Sequence, residues 1–496
     1  MSEDGSPSVA AKASFAAAVF ALAVAAIFAL ERVGAPDRLV AALGPLAGVV
    51  GIAALGVLTR AKTLLEFLVA RRSVPPFYAG LALAAPIGGF ALAFAGASTD
   101  PTRLPWRGVA AGIAFAVLMA APRWRAAQAS ALADVFATRF PAVFTRVAFA
   151  LMLSVCGWAM AATGLGYAAL TLSSSLGLSA NTAMAAAAAA LVVSLAPGGL
   201  RSLVWTDAAS AGAGFATMGL LVAMSVRHSA DDVARLEAAS HALGGLPGAP
   251  LLQEIAAAVA VASLFAFVNP ALAVATPGAA RRAGMTALLV LGVGGALAAA
   301  LGDLTTRSPT DSSLAALIAC LPALALARAG LYASSRALGL DLLRAPKRLF
   351  VLGSRRMASA RFGVLIGAAA SAAIARLSPH PSAPLYLALA LWLAFATPSL
   401  VLSALPGRGA APASAALIAS LLAAFVGRFV GFGNPGYGPD LLVGALAAGM
   451  VGLAAGLAAF AFAAPIAAAP RLADPYVELP GEPAGSAETS IARAAS

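Results

Sequence analysis

The sequence predicts an all-α polytopic membrane protein, and three observations support this fold class. Of the 496 residues, 61% are hydrophobic and 10% are charged, whereas soluble domains carry about 25% charged residues. The mean hydropathy is +0.91. About fourteen apolar runs come near the roughly 20 residues that a helix needs to cross a bilayer. The runs lie near residues 13–31, 38–59, 76–97, 107–122, 142–173, 180–196, 202–226, 252–276, 283–302, 311–343, 358–376, 383–405, 411–428 and 440–466.

These runs define the expected organisation of the chain. Residues 1–12 form an N-terminal tail, 13–470 the transmembrane domain, and 471–496 a polar C-terminal tail that we expect to be disordered. The first run is longer than the apolar part of a signal peptide, so a retained helix is expected. Runs 142–173 and 311–343 exceed a single span, which predicts tilted helices or helices that extend beyond the membrane.

The basic residues set the expected orientation. A net charge of +12 is compatible with nucleic-acid binding, but the arginines stand singly or in pairs between apolar runs. Positively charged loops that face the cytoplasm explain this distribution better. Both termini are then cytoplasmic in a bacterial-type inner membrane, the partner is the lipid bilayer, and no nucleic acid is expected. Cys156 and Cys320 lie within apolar runs, so no disulfide framework is predicted.

The most informative segment joins two apolar runs and reads Pro197-Gly198-Gly199-Leu200-Arg201-Ser202-Leu203-Val204-Trp205-Thr206-Asp207. A Pro-Gly-Gly turn ends the first run, and an arginine and a tryptophan mark the membrane boundary. Asp207 lies about six residues beyond the turn, inside the predicted span. Ionisable residues within a membrane are costly and usually mark a functional pathway.

Three segments resemble the sodium:solute symporter family, of which this chain looks like a divergent member. The first is Gly198–Asp207, the second is Glu66–Pro76, and the third is Ala131–Phe140. The resemblance implies a LeuT-type fold, in which two inverted repeats of five helices enclose a midplane site. The repeats fall at about 76–226 and 252–405. A major-facilitator or flippase-type bundle is the architectural alternative.

The resemblance also implies where a substrate pathway lies. In transporters with inverted repeats, Gly- and Pro-interrupted helices at corresponding positions of the two halves mark the binding site. The leading helix of each half contains such a segment here, although Gly and Pro also bend or pack ordinary membrane helices. The predicted pathway residues are Pro86, Ile87, Gly88, Gly89 and Phe90 in the first half, and Phe267, Asn269 and Pro270 in the second.

The family's sodium site is degraded in this chain. At the positions that resemble the family's paired hydroxyls stand Leu324 and Ala325, which offer no side-chain oxygen. Hard cations need several oxygen ligands, so no cofactor or metal is expected and sodium coupling is doubtful. Arg328 follows about one turn later, with Asp207 as its natural counter-ion. The guanidinium either replaces the missing cation or serves a structural salt bridge.

We therefore expect a secondary transporter, a symporter-like protein that moves a small organic solute across the membrane. The alternative is a non-transporting sensor or scaffold derived from the same fold. The sequence contains no nucleophile elbow, phosphate loop or HExxH motif, so an enzyme is not predicted. The composition selects neither a particular solute nor an oligomeric state.

Overall fold

The computed structural model describes residues 8–96, 104–126, 143–226, 249–301, 309–342, 353–403, 411–430 and 439–462. Every regular element within these ranges is helical. The third motif, at residues 131–140, and the predicted tail at 471–496 lie outside the described residues.

The described helices, numbered here in chain order, overlap all fourteen predicted runs. They are α1 (Val9–Arg32), α2 (Asp37–Leu58), the short α3 (Leu64–Val69), α4 (Pro76–Ala95), α5 (Trp106–Ala126), α6 (Val143–Leu176), α7 (Ala180–Leu195), α8 (Leu200–Val226), α9 (Leu251–Ser263), α10 (Pro277–Leu301), α11 (Pro309–Arg336), α12 (Gly353–Leu377), α13 (Ala383–Leu391, continued by Trp392–Ala396 and Thr397–Ser403), α14 (Ala411–Val430) and α15 (Pro439–Phe462). Within the described ranges, ten helices are long and apolar enough to cross a membrane. The all-α membrane fold is confirmed, whereas the count of fourteen spans stays a prediction.

Helix α11 is the centre of the bundle and packs against α2, α4, α6, α8 and α12. Its contact with α6 is close because small residues face each other. A Cβ atom on Gly157 would lie 2.5 Å from the carbonyl oxygen of Gly330, and one on Gly164 would lie 2.3 Å from that of Ala323. Membrane helices associate through such small-residue contacts, since lipid supplies no hydrophobic driving force between them.

Helix α1 lies at the edge of the bundle. It starts at Val9, where the side chain of Ser8 accepts a hydrogen bond from the Ala11 amide and caps the helix. It packs mainly on α2 and also touches α8 and α11. Most of its surface is exposed, as expected for a helix that meets lipid on one side.

The two predicted helix interruptions have different outcomes. In the second half, α9 ends at Ser263 and the chain continues as a 3₁₀ helix over Phe265–Ala273, which contains Pro270. In the first half, α4 runs without interruption from Pro76 to Ala95, so the break predicted there was wrong.

Close packing explains the glycine that lies in the uninterrupted helix. A Cβ atom on Gly89 would lie 2.1 Å from the carbonyl oxygen of Pro322, so α4 and α11 touch through backbone at this point. Proline removes only its own amide donor, and the helix tolerates Pro86 without unwinding. The symmetry relation between 76–226 and 252–405 stays a prediction.

Candidate functional site

The first and second motifs meet at one end of the bundle. Glu66, which is buried, forms ion pairs with Arg71 at 3.0 Å and with Arg201 at 2.9 Å. Its other carboxylate oxygen accepts a hydrogen bond from the Lys62 amide at 2.7 Å. A carboxylate with this many donors is well satisfied, so the junction fixes the start of α8 against α3. We call this end of the bundle the basic end, because it carries Lys12, Arg60, Lys62, Arg71 and Arg201.

The turn before α8 is built into this junction. Gly199 has a φ of 55°, and a Cβ atom there would lie 2.5 Å from the carbonyl oxygen of Phe67. Only glycine fits both demands. From α12, Arg361 donates hydrogen bonds to the carbonyl oxygens of Ala196 and Pro197, each at 3.1 Å. The turn is therefore held by α3 on one side and by α12 on the other.

Backbone strain marks the segment that follows α3. Ala70, Arg71 and Arg72 have φ values of 50°, 52° and 55°, which place three consecutive non-glycine residues in the left-handed region. Each such residue costs about 1–2 kcal/mol. The ion pair between Arg71 and Glu66 holds one of them, and Tyr332 donates a hydrogen bond to the Leu68 carbonyl at 2.8 Å just upstream. The surrounding contacts thus maintain the strained turn that leads into α4.

About two turns into α8, the structure brings together the two charged residues that the sequence singles out. The Arg328 Nε atom donates to Asp207 Oδ1 at 2.8 Å, and Nη2 donates to the Ser210 hydroxyl at 3.1 Å. Both charged side chains are fully buried. Asp207 Oδ2 and Arg328 Nη1 make no hydrogen bond to any of the described residues. The pair is therefore neutral overall but not fully satisfied.

The guanidinium leaves α11 on a different face from the one that meets α4. Gly89 contacts Pro322 and Leu326, whereas Arg328 is two residues beyond Leu326 and about 200° further round the helix. It points to α8, where Asp207 and Ser210 lie. Leu324 and Ala325 are fully buried, and their side chains contain no polar atom.

An aromatic cluster joins the two predicted pathway segments. The rings of Phe90 on α4 and Phe267 in the 3₁₀ segment are 5.3 Å apart and nearly perpendicular, which is a favourable edge-to-face geometry. Phe94 extends the cluster to Tyr386 on α13, at 5.4 Å, and to Trp106 on α5, at 5.3 Å. The predicted residues Phe90 and Phe267 therefore do lie side by side.

Buried polar groups surround the end of the 3₁₀ segment. Asn269 is 2% exposed and lies beside Pro270 in this segment. Arg125 on α5 donates to the carbonyl oxygens of Val274, at 2.8 Å, and of Ala275. Carbonyls released by a broken helix must find donors in a membrane protein, and this guanidinium supplies them.

Sequence reasoning missed three residues at these sites. Arg125 is one of the arginines between apolar runs, Arg361 belongs to no motif, and Tyr386 lies in an apolar run. The Tyr386 hydroxyl is buried and has no hydrogen-bond partner among the described residues. Tyr386 is only the fourth residue of the run 383–405, where tyrosine is common at a membrane interface, so nothing in the sequence pointed to the burial of its hydroxyl.

Comparison with known proteins identifies the fold. A substrate-bound, outward-open structure of a Na+-coupled sialic acid symporter matches with a TM-score of 0.67 and 15% sequence identity, covering 86% of this chain and 98% of that one. A nucleobase-cation-symport-1 family transporter, in a closed conformation with bromovinylhydantoin bound, matches with a TM-score of 0.49 and 16% identity, covering 82% and 98%. Neither a scan of protein-family models nor a search of curated proteins gave a match. The first likeness confirms the LeuT-type fold, and the resemblance to the sodium:solute symporter family in particular stays a prediction.

Proposed function

We propose that this protein is a secondary transporter that moves a small organic solute across the membrane, as the first structural neighbour does for sialic acid. The observation that carries the proposal is the contact of Phe90 with Phe267. It joins the interrupted helix of one half to the leading helix of the other, at the place where transporters of this architecture bind their substrates.

The surroundings of this contact are consistent with an organic solute. Phe90, Phe94 and Phe267 provide aromatic surface, while the Tyr386 hydroxyl provides a polar group without a partner among the described residues. Small-molecule sites are usually apolar and contain a few polar groups that orient the ligand. The solute class beyond this description stays open.

We propose further that transport does not use sodium at the position between α4 and α11. Leu324 and Ala325, at the positions that resemble the family's paired hydroxyls, offer no side-chain oxygen, and Arg328 already forms an ion pair with Asp207. We propose that the fixed positive charge of Arg328, paired with Asp207 on the side of α11 that meets α8, takes the role of the ion without lying in its position.

Uptake by the full-length protein in proteoliposomes tests both statements. A panel of radiolabelled amino acids, carboxylates, sugars and nucleobases is offered with and without an inward sodium gradient. We expect saturable uptake of one class at equal rates under both conditions. Uptake that requires sodium would contradict the sodium-independent mechanism, and the absence of saturable flux for every class would favour a non-transporting sensor or scaffold.

Orientation is a separate part of the proposal. The basic end faces the cytoplasm, because Lys and Arg accumulate in cytoplasmic loops, and both termini then lie inside. A single cysteine introduced at Lys62, which is exposed, should be shielded from a membrane-impermeant thiol reagent in intact cells and react after lysis. Labelling in intact cells would reverse the orientation.

A further inference from the structure

An apolar cleft lies on the outer side of the bundle, between α1 and the three helices that it covers. Phe15, Ala16 and Val19 line it from α1, Gly51 from α2, Ser210 from α8 and Leu321 from α11. The cleft is not fully enclosed, and part of its surface is open. Because the chain is a membrane protein and α1 lies at the edge of the bundle, the medium at that open part is lipid.

The cleft ends at a buried lysine. Lys12 precedes Phe15 and Ala16 by one helical turn, and Trp205 precedes the cleft residue Ala209 by one turn on α8. The Lys12 ammonium lies 4.7 Å from the centre of the Trp205 ring. The ammonium of Lys12 on α1 and the ring of Trp205 on α8 therefore lie together at the same end of the cleft.

Within the described part of the chain, the positive charges at this end outnumber its one carboxylate, Glu66. Glu66 is shared by Arg71 and Arg201, and within the described part of the chain no carboxylate lies within salt-bridge distance of Lys12. Arg60 and Lys62, which lie between α2 and α3, add two further positive charges at this end. Lysine in the first turn of a helix is also disfavoured by the helix dipole, which prefers an anion there. This arrangement suits a ligand that carries a negative charge.

We propose that the cleft binds an anionic phospholipid, with its phosphate at Lys12 and one acyl chain between α1 and α2. Basic side chains next to a membrane span attract anionic headgroups, and a groove lined by alkyl and aromatic groups accepts an acyl chain. The site is independent of the proposed transport function, since it lies outside the Phe90–Phe267 contact. It would nevertheless neighbour the charge pair, because Ser210 lines the cleft and accepts a hydrogen bond from Arg328.

Native mass spectrometry of the delipidated full-length protein in detergent tests the proposal. The protein is titrated with dioleoyl phosphatidylglycerol, with dioleoyl phosphatidylcholine, and with inorganic phosphate. We expect the first phosphatidylglycerol to bind roughly tenfold more tightly than phosphatidylcholine, and phosphate alone to bind far more weakly than either lipid. Equal affinity for the two lipids would overturn the headgroup assignment, and binding of phosphate as tight as that of the lipid would overturn the acyl-chain assignment.

Matched variants locate the site. Lys12→Gln should remove the preference for phosphatidylglycerol, and Lys12→Arg should keep it. Gly51→Leu, which fills the cleft, should weaken the binding of both lipids equally. The controls are Arg38→Gln, an exposed cation at the other end of the same helix pair, and Ala18→Leu on the exposed face of α1. If Arg38→Gln reduced the preference as much as Lys12→Gln, or if Ala18→Leu weakened binding as much as Gly51→Leu, the proposed site would be wrong.

Discussion

Arg328 donates a hydrogen bond of 2.8 Å to Asp207 across the interface of α11 and α8, and both side chains are fully buried. A charge transferred from water into such an environment costs several kcal/mol unless a partner compensates it. Each of these residues is therefore tolerated because the other is present. The pair connects the central helix of the bundle to the helix that begins at the Pro197-Gly198-Gly199 turn.

Removing one member of the pair should destabilise the protein more than removing both. Asp207→Asn and Arg328→Gln alone should each lower the free energy of unfolding by about 3–5 kcal/mol, because an unpaired buried charge remains. The double variant should recover a large part of that loss. Unfolding in mixed micelles provides the four values of the cycle, and Arg282→Gln on the exposed surface of α10 serves as the control. Additive losses would contradict a direct interaction.

The same double variant separates a structural role from a role in transport. If the pair only stabilises the bundle, a folded double variant should transport at the native rate. We expect instead that its flux falls at least tenfold while its stability approaches that of the native protein, because the fixed charge proposed to take the role of the ion is lost. Native flux in a stable double variant would leave Arg328 with a structural role alone.

The helices were predictable from the sequence because apolar runs of membrane-spanning length leave few alternatives. The partners of polar residues were predictable only where the cost of burial forces a pairing, as for Asp207 and Arg328. The contact between Glu66 and Arg201 could not be inferred in this way, since both residues lie near membrane boundaries where water is an adequate partner. Glu66 and Arg201 form an ion pair only because α3 packs against the start of α8.

The Gly88-Gly89 pair shows why the interruption of α4 was predicted and not found. Glycine permits an unwound backbone, but it also permits two helices to touch, and the sequence does not distinguish these uses. In the structure Gly89 contacts the Pro322 backbone, whereas a Cβ atom on Gly88 would meet only the Pro322 side chain at 3.8 Å. The distinction depends on the neighbouring helix, which is remote in sequence.

A pair of alanine substitutions tests the packing role of this segment. Gly89→Ala should lower stability by at least about 1–3 kcal/mol, because its methyl group overlaps the Pro322 carbonyl and pushes α4 away from α11. Gly88→Ala should change stability by no more than about 0.5 kcal/mol. Thermal unfolding of the two purified variants is sufficient. Equal sensitivity at both positions would indicate that flexibility of the backbone, and not contact, is what α4 requires.

The turn before α8 gives a similar contrast. Gly199→Ala should cost about 1–2 kcal/mol for its left-handed φ of 55°, and more from the overlap with the Phe67 carbonyl. Gly212→Ala, in α8 with no atom within 4 Å of the added methyl group, should be neutral or stabilise by up to about 1 kcal/mol. Both variants can be compared by their midpoints of thermal unfolding. A tolerated Gly199→Ala would mean that the junction with Phe67 is looser than described.

Two tyrosines with different hydrogen bonding test where the solute binds. Tyr332 donates to the Leu68 carbonyl at 2.8 Å, so Tyr332→Phe should lower stability by about 1 kcal/mol and leave the apparent affinity for the solute unchanged. The Tyr386 hydroxyl has no partner among the described residues and lies beside Phe94 in the aromatic cluster. Tyr386→Phe should therefore leave stability unchanged.

The KM of solute uptake distinguishes the two tyrosines. If the Tyr386 hydroxyl binds the solute, its loss should raise the KM of uptake roughly 2- to 10-fold, which corresponds to about 0.5–1.5 kcal/mol for one hydrogen bond. The measurement is initial-rate uptake in proteoliposomes at matched protein density, with both variants and the native protein in parallel. A Tyr386→Phe variant with native KM would place the solute away from this cluster. If Tyr332→Phe raised the KM by the same amount, the effect would not be specific to the aromatic cluster around Tyr386.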